Sequence, residues 1–533
     1  MPGTPTYPGV YVEEIPSGIR TIAGVATSIT AFLGRAVRGP VNVATTITSY
    51  ADFERTFGGI NHDFPMSYAV RDFYQNGGKR AVIVRLVGKN AAAATANKDG
   101  GLTLRAANQG TWGNNLRYLC DNIAVKGDSG ELFNLQIFEL VGPDKLAVHR
   151  EVIRNVSCNK DAKRRVDRVL QIESEIVRAV EPTDNAQPEV YDTIPSDQQS
   201  LKEKLKTLDA NLGKDSEKLG ASHFKSGEDS DTGDKTGLAA LDSTDLFNLL
   251  CIPPDNLTGD IPKDVYSEAL SYCMHRRAML IVDPPSDWKN NELIASGLKS
   301  DPRTKLGELN LQGSNACNAI LTYPRIRQTD ADPDYSGQLD TFAACGMIAG
   351  IIARTDATRG VWKAPAGLDA SLNGIHSLAV KLTDEENGIL NQVGINCLRS
   401  FPAAGNVVWG ARTMDGDDQL GSEWKYIPVR RTALYIEESL YRGTHWAVFE
   451  PNDEPLWAQL RLNIGAFMND LFRQGAFQGR SPRESYFVKC DKDTTTQNDI
   501  NRGIVNVVVG FAPLKPAEFV VIKLTQIAGQ IET

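Results

Sequence analysis

The sequence predicts a multidomain fold: α/β in its middle, α+β towards its C-terminal end, with a solvent-facing surface insertion and an extended β arm at each end. Three observations predict it. Strand-like and helical periods alternate in two separated stretches, 21–95 and 246–370, which reads as one sheet built through crossover connections. The block between them, 96–245, is polar and charge-dense in its larger part. Each chain end carries a short β-prone run set off by prolines. A chain of 533 residues has room for three to four domains of about 150 residues. The expected division is an N-terminal arm 1–20, a middle domain 21–95 plus 246–370, an insertion 96–245, a C-terminal domain 371–512 and a C-terminal arm 513–533.

Taken in order, residues 9–15 lie between Pro8 and Pro16, which permit a strand and not a helix. Strand character follows at 28–34, helical character at 49–57 and 67–75, and the Gly77-Gly78 turn leads into the β-rich run 80–87. Within the insertion, 116–119 and 132–140 read as strands. Val166, Val169, Leu170, Ile176, Val177 and Val180 repeat at helical spacing, as do Leu201, Leu205, Leu208 and Leu212. The Ser-, Asp-, Lys- and Gly-rich stretch 213–237 reads as a mobile surface loop. The apolar α/β pattern resumes with the run 246–252, a helix around 265–277 and the buried-strand run 278–282, stopped by Asp283-Pro284-Pro285. A strand ending in Asp can mark the carboxyl edge of a sheet, where α/β proteins bind ligands; a turn residue before two prolines is the plainer reading of Asp283. A strand at 315–323 and an apolar, Gly-containing helix at 341–353 complete the middle domain.

Further on, 395–399 and 407–412 read as strands, a helix starts near Arg430, and 446–449 reads as another strand. Asn452-Asp453 and Pro455 open a long helix running to Gln474. Leu456, Leu460, Ile464, Phe467 and Leu471 form its apolar stripe, and Gln459, Asn463, Asp470 and Arg473 are assigned to the opposite, polar face. Runs 486–489 and 503–509 read as paired strands, and 518–525 is strongly β-prone beyond Pro513 and Pro516. Such a strand at a chain end has two unpaired edges, so the arms are expected to add to neighbouring subunits, the other reading being that each pairs back on its own domain.

Several function classes are excluded or weakened. A net charge of -9, from 57 Lys+Arg against 66 Asp+Glu, argues against affinity for nucleic acid through phosphate neutralisation. No apolar stretch approaches the roughly 18 residues of a membrane span, and no secretory signal is expected in MPGTPTYPGVYVEEI. Despite 46 glycines there is no G-x-G and no G-K-[ST], so the dinucleotide and phosphate-cradling loops are missing. G-x-S-x-G and H-E-x-x-H are also absent. The 8 cysteines sit singly in apolar runs and are expected to be buried thiols, since the closest two are Cys251 and Cys273 and zinc sites need tighter pairs. Catalytic, cofactor-binding and metal-ligating residues are all expected to be none.

What stands out is non-catalytic. GMIAGIIARTDATRGVWKAPAG at 346–367 resembles the signature region of the contractile tail sheath protein family, of phages and phage-tail-like contractile injection systems. So do PTYPGVYVEEIPSG at the start, INCLRSFPAAGNVVWGARTM at 395–414, and the stretch from Trp424 (WKYIPVRRTALYIEESLYRGTHWAVFEPNDEPLW) through GFAPLKPAEFVVIKLTQ. The resemblance omits 96–245, where sheath proteins vary.

It implies a structural subunit of a helical homo-oligomer that surrounds an inner tube and contracts to drive the tube through a target envelope. Implied partners are further copies of the chain, the inner tube protein, and baseplate and terminator or cap proteins, with no nucleic acid and no membrane insertion. Implied locations are the cytoplasm of the producing cell during assembly, then a virion tail or released particle. Val10, Tyr11, Val12 and Glu13, and Phe519, Val520, Val521, Ile522, Lys523 and Leu524, are the expected inter-subunit arms. The long helix, through Gln459, Asn463, Asp470 and Arg473, is the expected tube-facing element. An α/β enzyme of unknown chemistry is the alternative.

Overall fold

Short runs of Val, Ile, Leu, Met and Phe, buried on both sides, build one eight-stranded sheet in the computed structural model, which describes residues 20–123, 132–180, 182, 185–230, 232–288, 298 and 300–523. Its strands are β1 (Thr30–Gly34), β2 (Thr45–Ile47), β3 (Ala81–Arg85), β4 (Leu249–Cys251), β5 (Met279–Val282), β6 (Ala319–Tyr323), β7 (Ile395–Phe401) and β8 (Gly405–Val408). The spatial order is β2-β3-β1-β4-β5-β6-β7-β8. All neighbours from β3 to β7 run parallel, and the edge strands β2 and β8 run antiparallel. Alternate residues feed two cores. Ala31, Leu33, Val82, Val84, Leu250, Leu280 and Leu321 face one; Phe32, Ala81, Ile83, Cys251, Ile281 and Ile320 face the other. Burial on both faces is why β4 (Leu-Leu-Cys) and β5 (Met-Leu-Ile-Val) are unbroken apolar runs, whereas the edge strands β2 and β8 keep Thr46 and Gly405 exposed.

The principal helices are α1 (Met66–Gln75), α2 (Lys263–His275), α3 (Cys345–Arg359), α4 (Ile427–Gly443) and α5 (Glu454–Arg473). The first core is covered by α2 through Val265, Ala269 and Leu270, and the second by α1 and α3 through Phe73, Met347, Ile348 and Ile351. Every residue from Cys345 to Ala353 is buried, as expected of a helix that is apolar all round. Gly346 and Gly350 let α3 lie against the α1 backbone: a Cβ added at Gly346 would sit 2.0 Å from the Ala69 carbonyl oxygen. That helix starts later than the sequence pattern implies, because Leu339–Phe342 is taken into a strand against Ile326–Thr329.

The insertion departs from expectation in one important respect. Its own core, with Leu104, Trp112, Leu116, Phe133, Ile137, Val166 and Leu208, spans 94–208. Residues 213–237, expected as a mobile loop, instead return along the middle domain. Phe224 and Leu238 enter the first core, and the Leu219 N–H donates to Asp255 at 2.9 Å. Polar composition hid a segment held by a few deep apolar residues. The expected long helical repeats are also cut short. Val166–Glu173 is helical, but Val177–Ala179 pairs with Leu104–Ala106, and Gln198–Lys204 gives way to Lys206–Thr207 paired with Arg117 and Tyr118.

The expected boundary at 371 falls inside the middle domain, since β7 and β8 extend its sheet. α4 links two clusters, with Ile427 and Leu434 in the second core and Ile436 in a separate cluster with Ile464, Phe467, Met468 and Leu471 of α5. Residues 446–449, expected as a strand, hold a 3-10 turn at His445–Ala447 and then project outward.

Candidate assembly surfaces

The stretches read as conspicuous in the sequence meet one another in space. Asp356, in the ARTD segment of α3, receives both terminal nitrogens of Arg431 from α4 at 2.7 and 2.6 Å, and the Thr27 hydroxyl at 2.6 Å. Arg431 also donates to the Thr27 carbonyl at 2.8 Å. With both side chains about 95% out of solvent (3% and 5% exposed), this pair welds α3, α4 and the incoming chain together. Tyr435 occupies the space beside Gly24, where a Cβ would lie 2.0 Å from its hydroxyl oxygen.

Arg412 is the counterpart at the other end of the chain. The Asn396 side chain receives its N–H at 2.7 Å and donates to its carbonyl at 2.7 Å, which fixes the backbone just beyond β8. The guanidinium, 1% exposed, grips Glu518 through two bonds of 2.8 and 2.6 Å and reaches Asp418 at 3.0 Å. Burial opposes its charge, but the hydrogen bonds and charge of Glu518 more than offset this and hold its pKa above the usual arginine value. The Tyr426 hydroxyl adds a bond to Glu518 at 3.3 Å.

Phe519, Val520, Val521 and Ile522 are 76–82% exposed, without regular secondary structure, and Lys523 is exposed beside them. Leu524, and Val10, Tyr11, Val12 and Glu13 of the expected N-terminal arm, lie outside the described residues. Near the tail, Tyr486–Lys489 and Val508–Phe511 pair antiparallel as a two-stranded sheet, leaving one edge of each strand unpaired among the described residues. A groove of about 880 Å³ runs beside it, walled by Tyr441, Val448, Phe449, Val505, Val507 and Val509. Phe449 is fully exposed and has a φ of +69°, an unusual backbone for a bulky residue.

The outer face of α5 corrects the sequence assignment. Gln459, Asp470 and Arg473 are exposed, but Asn463 is 2% exposed and its Oδ1 accepts the Arg20 N–H at 3.2 Å. Its angular position explains this, since it lies three residues after Leu460 and four before Phe467, inside the apolar stripe. Polarity pointed outward while spacing pointed inward, and here spacing governs. Leu462, half exposed, takes a place on the outer face.

At the carboxyl edge of the sheet, the described residues near the strand-order reversal are engaged in ion pairs and hydrogen bonds. Between β1 and β4, where strand order reverses, Arg35 and Asp255 pair at 2.5 Å, and Arg35 also reaches the Ser216 carbonyl at 3.3 Å. Asp283, after β5, accepts the N–H groups of Ala344 and Cys345 at 2.8 and 3.0 Å and so anchors the start of α3; burial pushes its carboxyl pKa up. It is therefore more than a turn residue before two prolines. All eight cysteines are buried. Among the described residues no helix is long and apolar enough to cross a membrane.

Comparisons with known proteins follow this geometry. Residues 309–414 match the phage tail sheath protein central domain and 420–527 the phage tail sheath C-terminal domain, a division that falls close to the start of α4. The tail sheath protein of Vibrio phage KVP40 is 26% identical over 211 residues, 38% of this chain and 29% of that protein. A putative prophage major tail sheath protein of Pseudomonas aeruginosa is 27% identical over 33% of this chain and 43% of that protein. The matches thus span less than half the length of these relatives.

Among solved structures, the sheath tail protein Lin1278 of Listeria innocua aligns with a TM-score of 0.59 at 13% identity, covering 93% of this chain and 96% of that one. A sheath complex of the extracellular contractile injection system PVC in its contracted state gives 0.57 at 20% identity, covering 98% of each. At these identities the structural likeness is one of fold.

Proposed function

Since this chain belongs to the phage tail sheath family, we propose that it is the repeating subunit of a contractile helical sheath that encloses an inner tube and drives it through a target envelope. The observation that carries this reading is the C-terminal tail: an apolar, β-prone segment, exposed from Phe519 to Ile522 and aimed from the domain by the Arg412–Glu518 clip. A tail left this way in a single copy is completed by another. The free edges at Tyr486–Lys489 and Val508–Phe511, with the apolar groove beside them, supply a surface of matching chemistry. About six backbone hydrogen bonds at roughly 0.5–1.5 kcal/mol each would join one tail to one neighbour. The N-terminal arm is assigned the same role.

Contraction requires a subunit whose domains stay rigid while contacts between subunits change. The Asp356–Arg431 pair and the continuous sheet supply that rigidity. The partners are then further copies of this chain, the inner tube, and baseplate and terminator proteins. The place of action is a virion tail or released particle, after assembly in the producing cell. The exposed face of α5, reduced to Gln459, Asp470 and Arg473, is the proposed tube-facing surface, since exposed polar contacts are weak and salt-screened and let a tube slide. The role is structural rather than catalytic. Expression of the full chain followed by ultracentrifugation and negative-stain microscopy should give sedimenting hollow tubes; a stable soluble monomer at high concentration would contradict it.

A further inference from the structure

We propose that His62, Asp330 and Asp340 form a binding site for a first-row divalent cation of the Zn²⁺ class. One candidate ligand atom from each residue lies within 4.8 Å of the other two. The three arrive from different elements: His62 from the loop before α1, Asp330 from the end of strand Ile326–Thr329, and Asp340 from strand Leu339–Phe342. Sequence spacing therefore gives no sign of the site, which is assembled by the hairpin folding over the loop.

Two of the three are already held in place. The Asp330 side chain is fully buried; one oxygen lies 2.6 Å from His62 Nδ1, and the other accepts the Tyr68 hydroxyl and, at 2.8 Å, the Asp332 N–H. Asp332 accepts the His62 backbone N–H at 2.9 Å, and Tyr335 stacks on the imidazole with ring centres 3.9 Å apart. Outer contacts of this kind orient metal ligands in advance.

Asp340 supplies the observation that points to an ion. Asp340 is partly buried; its Oδ2 is out of solvent and has no hydrogen-bond partner, and one of its carboxylate oxygens lies within 4.8 Å of the buried Asp330 carboxylate. A desolvated carboxylate oxygen without a partner is unfavourable, and the proximity of Asp330 makes it more so. The guanidinium of Arg71, which lies over the Tyr68 ring, is committed to Asp72 and Gln328. A divalent ion balances two carboxylates and a neutral imidazole. One nitrogen and two carboxylate oxygens suit Zn²⁺ better than Mg²⁺ or Ca²⁺, which prefer all-oxygen sites, and three protein ligands leave a position for water. Binding ties the loop before α1 to the hairpin that leads into α3.

The test is titration of EDTA-treated, dialysed full chain with ZnCl₂ by calorimetry, with metal content measured after gel filtration. One Zn²⁺ per chain is expected, and His62→Gln and Asp340→Asn should each bind at least about tenfold more weakly while keeping the wild-type circular dichroism. In the wild type, Zn²⁺ should protect His62 from diethyl pyrocarbonate, a readout that needs no variant. Unchanged binding in both variants, no protection of His62, or saturation by CaCl₂ in preference to ZnCl₂ would overturn the assignment.

Discussion

The two ends of the described chain use the same chemistry to opposite effect. Residues 20–29 thread between helices: Arg20 bonds to Asn463, the Val25 N–H to Ser439, and Thr27 to the buried Asp356–Arg431 pair. The C-terminal segment is gripped just as firmly at Glu518 by Arg412, yet the four residues after it are largely exposed. In the first region the ion pair completes an interior. In the second it ends one and leaves an apolar segment exposed. A buried salt bridge therefore says where the chain is fixed, and the burial of the residues beside it says whether the surface is finished.

The largest break in this comparison comes from deletion. Removing 161–237 takes Phe224 from the first core together with much of the insertion, and should give insoluble protein, whereas replacing 92–214 by a short linker should leave a soluble, folded remainder; solubility and circular dichroism decide. Next, Asp356→Ala leaves the Arg431 guanidinium buried and unpaired, and should lower stability by about 3–5 kcal/mol in urea unfolding. Truncation after Glu518 should shift the unfolding midpoint little, by under about 1 kcal/mol, because residues 519–522 bury almost nothing, while abolishing sedimentable tubes. Glu518→Gln should weaken the clip by about 1–3 kcal/mol, read as faster proteolysis within 514–523. Smallest of all, Asp470→Lys with Arg473→Glu should leave stability within about 0.5 kcal/mol and lower only the yield of tube-filled particles.

How much of this was legible in the sequence follows from what each segment is held by. The runs at 28–34, 80–87, 278–282 and 315–323 were readable as strands because burial on both faces leaves an unbroken apolar signature. α5 was readable from Asp453, Pro455 and its stripe; Asn463 was misassigned because residue type was allowed to override spacing. The return of 213–237 was hidden, since composition averages over Leu219 and Phe224, which dock it. The boundary at 371 was misplaced because β7 joins β6 across more than seventy positions, and sheet order is not a local property. Asp356 and Arg431 both lay in stretches singled out for resemblance, but nothing local shows that they meet. The same holds for Arg412 with Glu518, and for His62 with Asp330 and Asp340.

The central claim is that the tail is completed by a different copy of the chain, and cross-linking between two populations tests it most directly. One population carries Val521→Cys and the other Val508→Cys, placing a thiol on the exposed tail and on the free strand while the native thiols stay buried. Mixing under assembly conditions with mild oxidation should give a disulfide-linked dimer that neither population gives alone. A link that forms only when both cysteines are on one chain, with no dimer on mixing, would mean that the tail folds back on its own domain and would contradict the account.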